Sequence, residues 1–314
     1  MLPIEKLGLR WSSAFPGEAT GLTPDSVDQA RRWRADLMRS NPRAIVLADV
    51  AVEEAPVDYL PISSPLWRRA PNGHVDTTMT DTGIRGHLKF DRPAFRKLTQ
   101  KRTTALMETG VVDGVALRAW SGDSPPHLAL VQAVRRGVGR SGVIVLESGV
   151  GTPALCAPYV NGLIVVDDGK GRPVWPQFAE ISTWAREHIR KPGFTVLEAF
   201  ASHDRARLYE MRMATTLALV FGDGFVTFAD STGHDWYDFW AQDLGRPLRP
   251  AYRKDGAYRR EFENGTAVFN PPTNKAVVLD FLSNETSMAK SLSATRISVQ
   301  PGDGDIALSR PPAH

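Results

Sequence analysis

YEMRMATTLALVFGDGFVTFADSTGHDWYDFWAQDLGRP, residues 209–247, is the stretch whose reading decides the fold. It opens as a helix, because Met211, Ala214, Thr215, Leu217, Ala218 and Phe221 recur at three- and four-residue spacing and share one face. Gly222-Asp223-Gly224 stops that helix and turns the chain. Residues 225–229, FVTFA, are β-branched and aromatic and predict a short buried strand. The strand runs out into Asp230, His234, Asp235, Trp236, Tyr237 and Asp238. A helix feeding a strand whose far end carries acids and aromatics is the unit of an α/β fold, where sites gather at strand C-terminal ends.

Working outward, the same unit recurs. Residues 7–11 predict a first strand. Thr23-Pro24-Asp25 then supplies an N-cap, a first-turn proline and an acid for a helix over 26–40. Asn41-Pro42 ends it, and 44–48 predict the second strand. A long loop over 50–90 follows, with Pro56, Pro61, Pro65, Pro71, Tyr59 and Trp67, the length of a lid or binding loop. Further strands are predicted at 111–119, 142–147, 162–166, 195–200, 225–229 and 266–269, and helices at 93–109, 125–139, 176–190 and 205–221. Eight strands alternating with helices or long loops over about 270 residues predict a parallel sheet closed as a (β/α)8 TIM barrel, rather than an open doubly wound sheet. The barrel is assigned residues 1–272. Residues 275–281, 296–299 and 305–308 read as strands, the last two joined by the turn Pro301-Gly-Asp-Gly304. They predict a small C-terminal antiparallel β appendage over 273–314.

Composition narrows the function classes. With 42% hydrophobic and 23% charged residues in 314, the chain can bury a large core and is not of the disordered type. The net charge is +3, and arginines such as Arg31, Arg32, Arg34, Arg135 and Arg136 are scattered over predicted helices. That is a solvated-face pattern, so no nucleic-acid partner is expected. The single cysteine, Cys156, excludes an intrachain disulfide and any multi-cysteine metal site, and reads as a small buried residue. The seven histidines show neither H-x-x-x-H nor H-x-H spacing, and no glycine-rich phosphate loop follows a strand. No metal or other cofactor is expected. The start, MLPIEKLGLRW, has no apolar run of signal-peptide length, and no segment approaches a bilayer span. The chain as written is expected to be cytoplasmic, or exported with a leader that precedes it. Nothing in the sequence speaks to its oligomeric state.

In a barrel the strand C-termini converge on one mouth. Groups expected there are Asp49, then Asp113, Arg118 and Trp120, then Glu147, Asp167 and Asp168, Glu198, Asp230 and Asn270. On the third strand Gly114, Ala116 and Arg118 share one face, and small residues suit a crowded barrel interior, so Arg118 is expected to point into the mouth. Val196, Glu198 and Phe200 share a face, making Glu198 an inward carboxyl. Several carboxyls and aromatics around one mouth, with no Ser/His/Asp order, are what glycoside cleavage needs: one acid protonates the leaving oxygen and a second carboxylate attacks or activates water. Carboxylates at strand ends also serve as helix caps and surface ion pairs.

Read in order, several phrases together resemble one family, the glycoside-hydrolase-like TIM-barrel proteins, which are largely uncharacterised. They are Ser40-Asn-Pro42, Ser64-Pro-Leu-Trp67 with Asn72-Gly73, Val112-Asp-Gly-Val115, Val160-Asn-Gly162, Arg212-Met-Ala-Thr-Thr-Leu217 with Gly222-Asp-Gly224, Trp236-Tyr-Asp238 with Leu244-Gly-Arg-Pro247, Arg260-Glu-Phe-Glu-Asn-Gly265 and Val268-Phe-Asn-Pro271. The resemblance covers about residues 40–309 and implies cleavage of a polysaccharide or glycoconjugate by two carboxyls. Glu147, Asp167, Asp168 and Glu198 are the catalytic candidates. Asp49, Asp113, Arg118, Trp120, Asp230, Trp236, Tyr237, Asp238 and Asn270 are the substrate-binding ones. The chain departs from the family in two places. A carboxylate of the family's third strand falls on Arg118, and Asp167 or Asp168 stands where the family more often has Glu. Arg is neither a useful acid nor a nucleophile. Either Glu147, Glu198 or Asp123 has taken the role, or the chain is a non-catalytic glycan-binding or scaffold barrel. A lyase or transferase reaction is a third reading.

Overall fold

The computed structural model describes residues 9–12, 24–80, 83–148, 151–167, 174–200, 208–230, 233–234 and 237–309. The described parts of residues 3–164 and 185–193 form one compact unit, and those of 165–184 and 194–314 a second. Among the described residues no helix is long and apolar enough to cross a membrane.

The first unit runs β1 (Leu9–Ser12), α1 (Pro24–Ser40), β2 (Ile45–Ala51), β3 (Glu54–Pro56), β4 (Thr77–Thr80), β5 (Gly83–His87), α2 (Pro93–Glu108), β6 (Gly114–Trp120), α3 (Pro125–Val138), β7 (Val143–Ser148) and into β8 (Gly162–Asp167). Five strands pair in parallel, in the order β1-β2-β6-β7-β8. Leu47, Val115, Leu117, Ile144, Leu146 and Leu163 are wholly buried, the near-continuous apolar strands of a sheet covered on both faces. Pro93 and Pro125 open α2 and α3 at positions where a missing N–H costs nothing. Phe95, Leu106, Leu130 and Val134 are the buried stripes of those two helices.

The loop over 50–90 is more structured than its composition suggests. β3, β5 and β4 form an antiparallel sheet of their own. Trp67 is wholly buried and donates its indole N–H to the Pro61 carbonyl. Gly86 is required beside it, since a Cβ there would meet the Trp67 ring at 2.8 Å. Trp67 is therefore the core of a small satellite sheet, not a free platform.

The second unit contains most of α4 (Val174–His188), then β9 (Phe194–Phe200), α5 (Leu208–Phe221), β10 (Phe225–Asp230), β11 (Gly233–His234), β12 (Tyr252–Lys254), β13 (Ala257–Phe262), β14 (Gly265–Asn270), β15 (Val277–Ser287), β16 (Leu292–Val299) and β17 (Asp303–Leu308). β9 and β10 pair in parallel, and β12-β13-β14-β17-β15-β16 form an antiparallel sheet. α5 is fastened to that sheet at both ends. Near its start the Arg212 fork holds the Asp303 carboxylate at 2.9 and 2.7 Å, and at its end Arg260 donates to the Leu219 and Gly222 carbonyls.

The α/β class stands, with a C-terminal antiparallel sheet, and one strand is reassigned. Residues 266–269, expected as the eighth strand of a closed barrel, lie in β14, which pairs antiparallel with β13 and β17. Only Glu263 and Asn264 separate Phe262 from Gly265. A two-residue connection makes a hairpin, whereas a parallel return needs about a dozen residues or more. Seven described strands pair in parallel, and the antiparallel sheet begins at Tyr252 rather than after residue 272.

One joint recurs at the strand starts. Asp113, just before β6, accepts the Val46 amide of β2 at 2.8 Å. Asn161, just before β8, accepts the Ile144 amide of β7 at 3.2 Å. Asp223, before β10, accepts the Thr195 amide of β9 at 3.2 Å. Asn161 also takes an Arg135 guanidinium N–H at 2.7 Å and donates to the Pro192 carbonyl at 3.1 Å, while 2% exposed. Asn161→Ala should therefore strand several buried polar groups at once and lower stability by about 1–3 kcal/mol, read as a shifted urea midpoint with an unchanged m-value.

Candidate functional site

The C-terminal ends of β6 and β7 carry an ion pair. Pairing of Ala116 with Val145 and of Leu117 with Leu146 sets Arg118 opposite Glu147 on one face of the sheet. Asp49 on β2 pairs with Ala116 and shares that face. Arg118 Nε lies 3.0 Å from Glu147 Oε2, each side chain about a quarter exposed. There the Arg118 guanidinium is answered by Glu147.

Beyond Leu117 the ladder breaks. The register of β6 against β7 shifts between Leu117 and Trp120, and Ala119 adopts the left-handed region at φ 55°. A non-glycine residue there is uncommon and has to be held by its surroundings. The bend turns the Ala119 N–H onto Glu147 Oε2 at 3.1 Å, so one carboxylate oxygen faces a guanidinium and takes a backbone donor.

The same bend drives Trp120 inward. Its side chain is 2% exposed, and its ring centroid lies 4.9 Å from that of His127, which also meets Phe90 at 4.7 Å. The Trp120 indole N–H has no acceptor among the described residues, and leaving such a donor buried costs about 1–3 kcal/mol, so packing is what holds the ring in. Trp120, expected from the sequence among the substrate-binding residues, is thus a buried wedge beneath the strand end.

His127 is fixed at both nitrogens. Glu53 Oε1 lies 3.0 Å from Nε2 and Ser124 Oγ 2.7 Å from Nδ1. A carboxylate only accepts, so Nε2 carries a proton toward Glu53. Glu53 also takes the Ser121 amide at 2.6 Å and the Ser121 hydroxyl at 2.5 Å. Gly122 is needed here, because a Cβ would sit 2.7 Å from the His127 ring. Burial raises the Glu53 pKa, but the hydrogen bonds from His127 and Ser121 outweigh it and hold the carboxyl below its ordinary value of 4.5. Close by in sequence, Asp123 accepts the amides of Leu155 and Cys156. Burial, then the contact with Asp123, pushes the Cys156 thiol well above the ordinary thiol range, which makes it a poor nucleophile. Glu53, Ser121 and His127 had no signal in the sequence beyond lying after a strand or at a helix start.

The other expected residues fall as follows. Asp113 is not at the strand C-termini: it precedes β6, pairs with Arg34 at 2.7 Å and accepts the Val46 amide, a joint at the opposite end of the sheet. Asn270 ends β14, wholly buried, donating to the Lys275 and Val299 carbonyls, so it locks the antiparallel sheet instead of closing a barrel. Asp167 ends β8 half-buried, and Glu198 is buried within β9, in register with Thr227. Tyr237 packs edge-on against Phe228 and Trp240, and Trp240 donates its N–H to Thr215 Oγ1 at 2.7 Å, so that half-buried pair is packed against the second unit's own residues. Asp238 is exposed at the head of a short 3-10 turn. Asp168 and Trp236 lie outside the described residues, as does the side chain of Asp230. Among the described residues, no group of three or more His, Cys, Asp or Glu is placed to hold a metal ion.

No protein-family model matches the chain, and no curated protein sequence matches it. Solved structures do share its fold. A maltogenic α-amylase from Thermotoga neapolitana superposes with a TM-score of 0.52 at 14% identity, covering 91% of this chain and 81% of that one. An α-amylase from Geobacillus thermoleovorans complexed with acarbose gives 0.52 at 12% identity over 98% and 89%. An α-amylase from Malbranchea cinnamomea gives 0.51 at 14% over 92% and 78%. At these identities the likeness is one of fold: the chain has the architecture of glycoside hydrolases of the α-amylase type.

Because the folded Glu53 pKa is depressed, its contribution to stability is present above the ordinary carboxylate range and is lost as pH falls through the folded value. Glu53→Gln should be less stable than wild type near neutrality, and the gap should close below pH 4.5, read from urea midpoints across an acid series.

Proposed function

We propose that the chain is a glycosidase acting on a polysaccharide or glycoconjugate, with Glu147 as one of its two carboxyls. The observation that carries this reading is the Arg118–Glu147 pair at the ends of two adjacent parallel strands, in a chain with an α-amylase architecture. The Arg118 ion pair and the hydrogen bond from the Ala119 amide both fall on Oε2, which restrains the carboxylate. Among the described residues Oε1 takes no hydrogen bond and is the oxygen left for substrate or water. Asp49, on the same sheet face, is the second carboxyl this unit offers. Asp167, Asp168 and Glu198 stay in the panel from the sequence. Two-carboxyl cleavage needs one protonated acid and one ionised carboxylate, and a carboxylate held by a guanidinium suits the second role. α-Linked glucans are the first substrates to try and acarbose the first inhibitor, from the fold relatives named above.

A second reading, glycan binding without cleavage, is favoured by Arg118 itself. It stands where the resemblance expects a carboxylate, and it occupies an oxygen of the nearest one. The two readings separate on turnover. Under the first, wild type releases reducing ends from an α-glucan. Glu147→Gln should then lower kcat about a thousandfold, with the binding constant for acarbose changed far less. Full activity in Glu147→Gln would remove it from the reaction. Binding of oligosaccharides by wild type with no product at any enzyme concentration would favour the second reading.

A further inference from the structure

Glu53 lies outside any strand, yet three donors from two later segments converge on its carboxylate: the Ser121 amide, the Ser121 hydroxyl and His127 Nε2. Its own backbone is not free to follow them, because the Glu53 carbonyl accepts the Leu88 amide at 2.8 Å and the next residue enters β3. Glu53 is thus a fixed post to which the segment after β6 is tied. That segment begins with the left-handed Ala119, whose amide is aimed at Glu147. Ala gains nothing from a positive φ, so the bend persists only while both flanks are held. On the near flank the ladder to β7 holds as far as Leu117. On the far flank Ser121 is tied to Glu53, and Trp120 is wedged against His127, which Glu53 also holds. We infer that Glu53 is a positioning residue for the Glu147 carboxylate, acting through the 119–121 bend. The inference rests on the reading of Glu147 as a reacting carboxyl, but the linkage itself is a matter of geometry.

The test uses the full chain as wild type, Glu53→Gln and Glu53→Ala, with the 15N-labelled Ala119 amide and steady-state cleavage of an α-glucan as paired readouts. Removing the post should move the Ala119 amide upfield, as an amide losing a charged acceptor moves, and should lower kcat on the order of ten- to a hundredfold while KM stays within about twofold. Glu53→Gln keeps one oxygen for Ser121 and should fall between wild type and Glu53→Ala on both readouts. It also decides the matter if the alanine variant does not fold. A folded variant with the Ala119 amide unmoved, or a loss confined to stability with kcat intact, would overturn the inference. If wild type cleaves no glucan, the reading of Glu147 fails, and the Ala119 amide alone then decides whether Glu53 sets the bend.

Discussion

In both compact units, parallel strand pairs depend on a side-chain joint that fastens one strand start to its neighbour. Asp113, Asn161 and Asp223 each stand one or two residues ahead of a strand, and each accepts a backbone N–H near the start of its parallel neighbour. Parallel pairing offers evenly spaced, interchangeable hydrogen bonds, and a slip of one residue would turn every side chain to the opposite face. A side-chain acceptor at a single defined amide removes that freedom. Two of the three are carboxylates, whose hydrogen bonds are stronger than neutral ones, and Asp113 adds a bidentate hold on Arg34 of α1. The sequence marks all three the same way, as Asp113-Gly114, Asn161-Gly162 and Asp223-Gly224.

Register fixed at one end decides what meets at the other. With Val143 paired to Gly114, counting up both strands brings Glu147 beside Arg118. A slip of one residue would set Arg118 against Leu146 or Ser148 and leave a carboxylate and a guanidinium half-buried without each other. The site therefore inherits its geometry from the start of the same two strands, where the Val143 amide donates to the Asp113 carbonyl at 2.9 Å. The β-bulge then adds what regular pairing cannot, by using two residues to swing an amide onto the carboxylate and a tryptophan into the core.

Element type was legible because periodicity reports it directly. The parallel strands and the five helices follow from apolar runs and three- and four-residue spacing, and their observed bounds differ from the reading by a few residues. What periodicity does not report is pairing partner. Residues 266–269 look like any other buried strand, and only the two-residue turn at Glu263-Asn264 betrays the antiparallel hairpin. Asp113 was misplaced for a related reason: an acid flanked by apolar residues looks alike at either end of a strand, and the strand begins at Gly114, after it. The phrases that carry the family resemblance turn out to be rich in joints, among them Asp113, Asn161, Arg212, Thr215, Arg260 and Asn270. A shared order of such phrases tracks a shared scaffold before it tracks a shared reaction. Glu53 and His127 escaped notice because they are brought together from 74 positions apart by two loops, and no spacing rule reaches that far.

Arg118 is the residue on which the proposed chemistry turns. A guanidinium stays charged at any working pH, so a strand end that held two carboxylates would gain a permanent cation in place of a proton donor. That substitution removes the strong coupling of two like charges, the usual means of forcing one acid to keep its proton. In the proposed cleavage the proton would come from a carboxyl other than Glu147, in surroundings that burial rather than a neighbouring anion makes unfavourable to charge. The strand end as built is a place for negative charge and for an orienting donor, which bounds what it can do. In the proposed cleavage the Glu147 carboxylate beside Arg118 would steady a developing cation or hold a nucleophilic oxygen in line, and a different carboxyl would supply the proton for the leaving group.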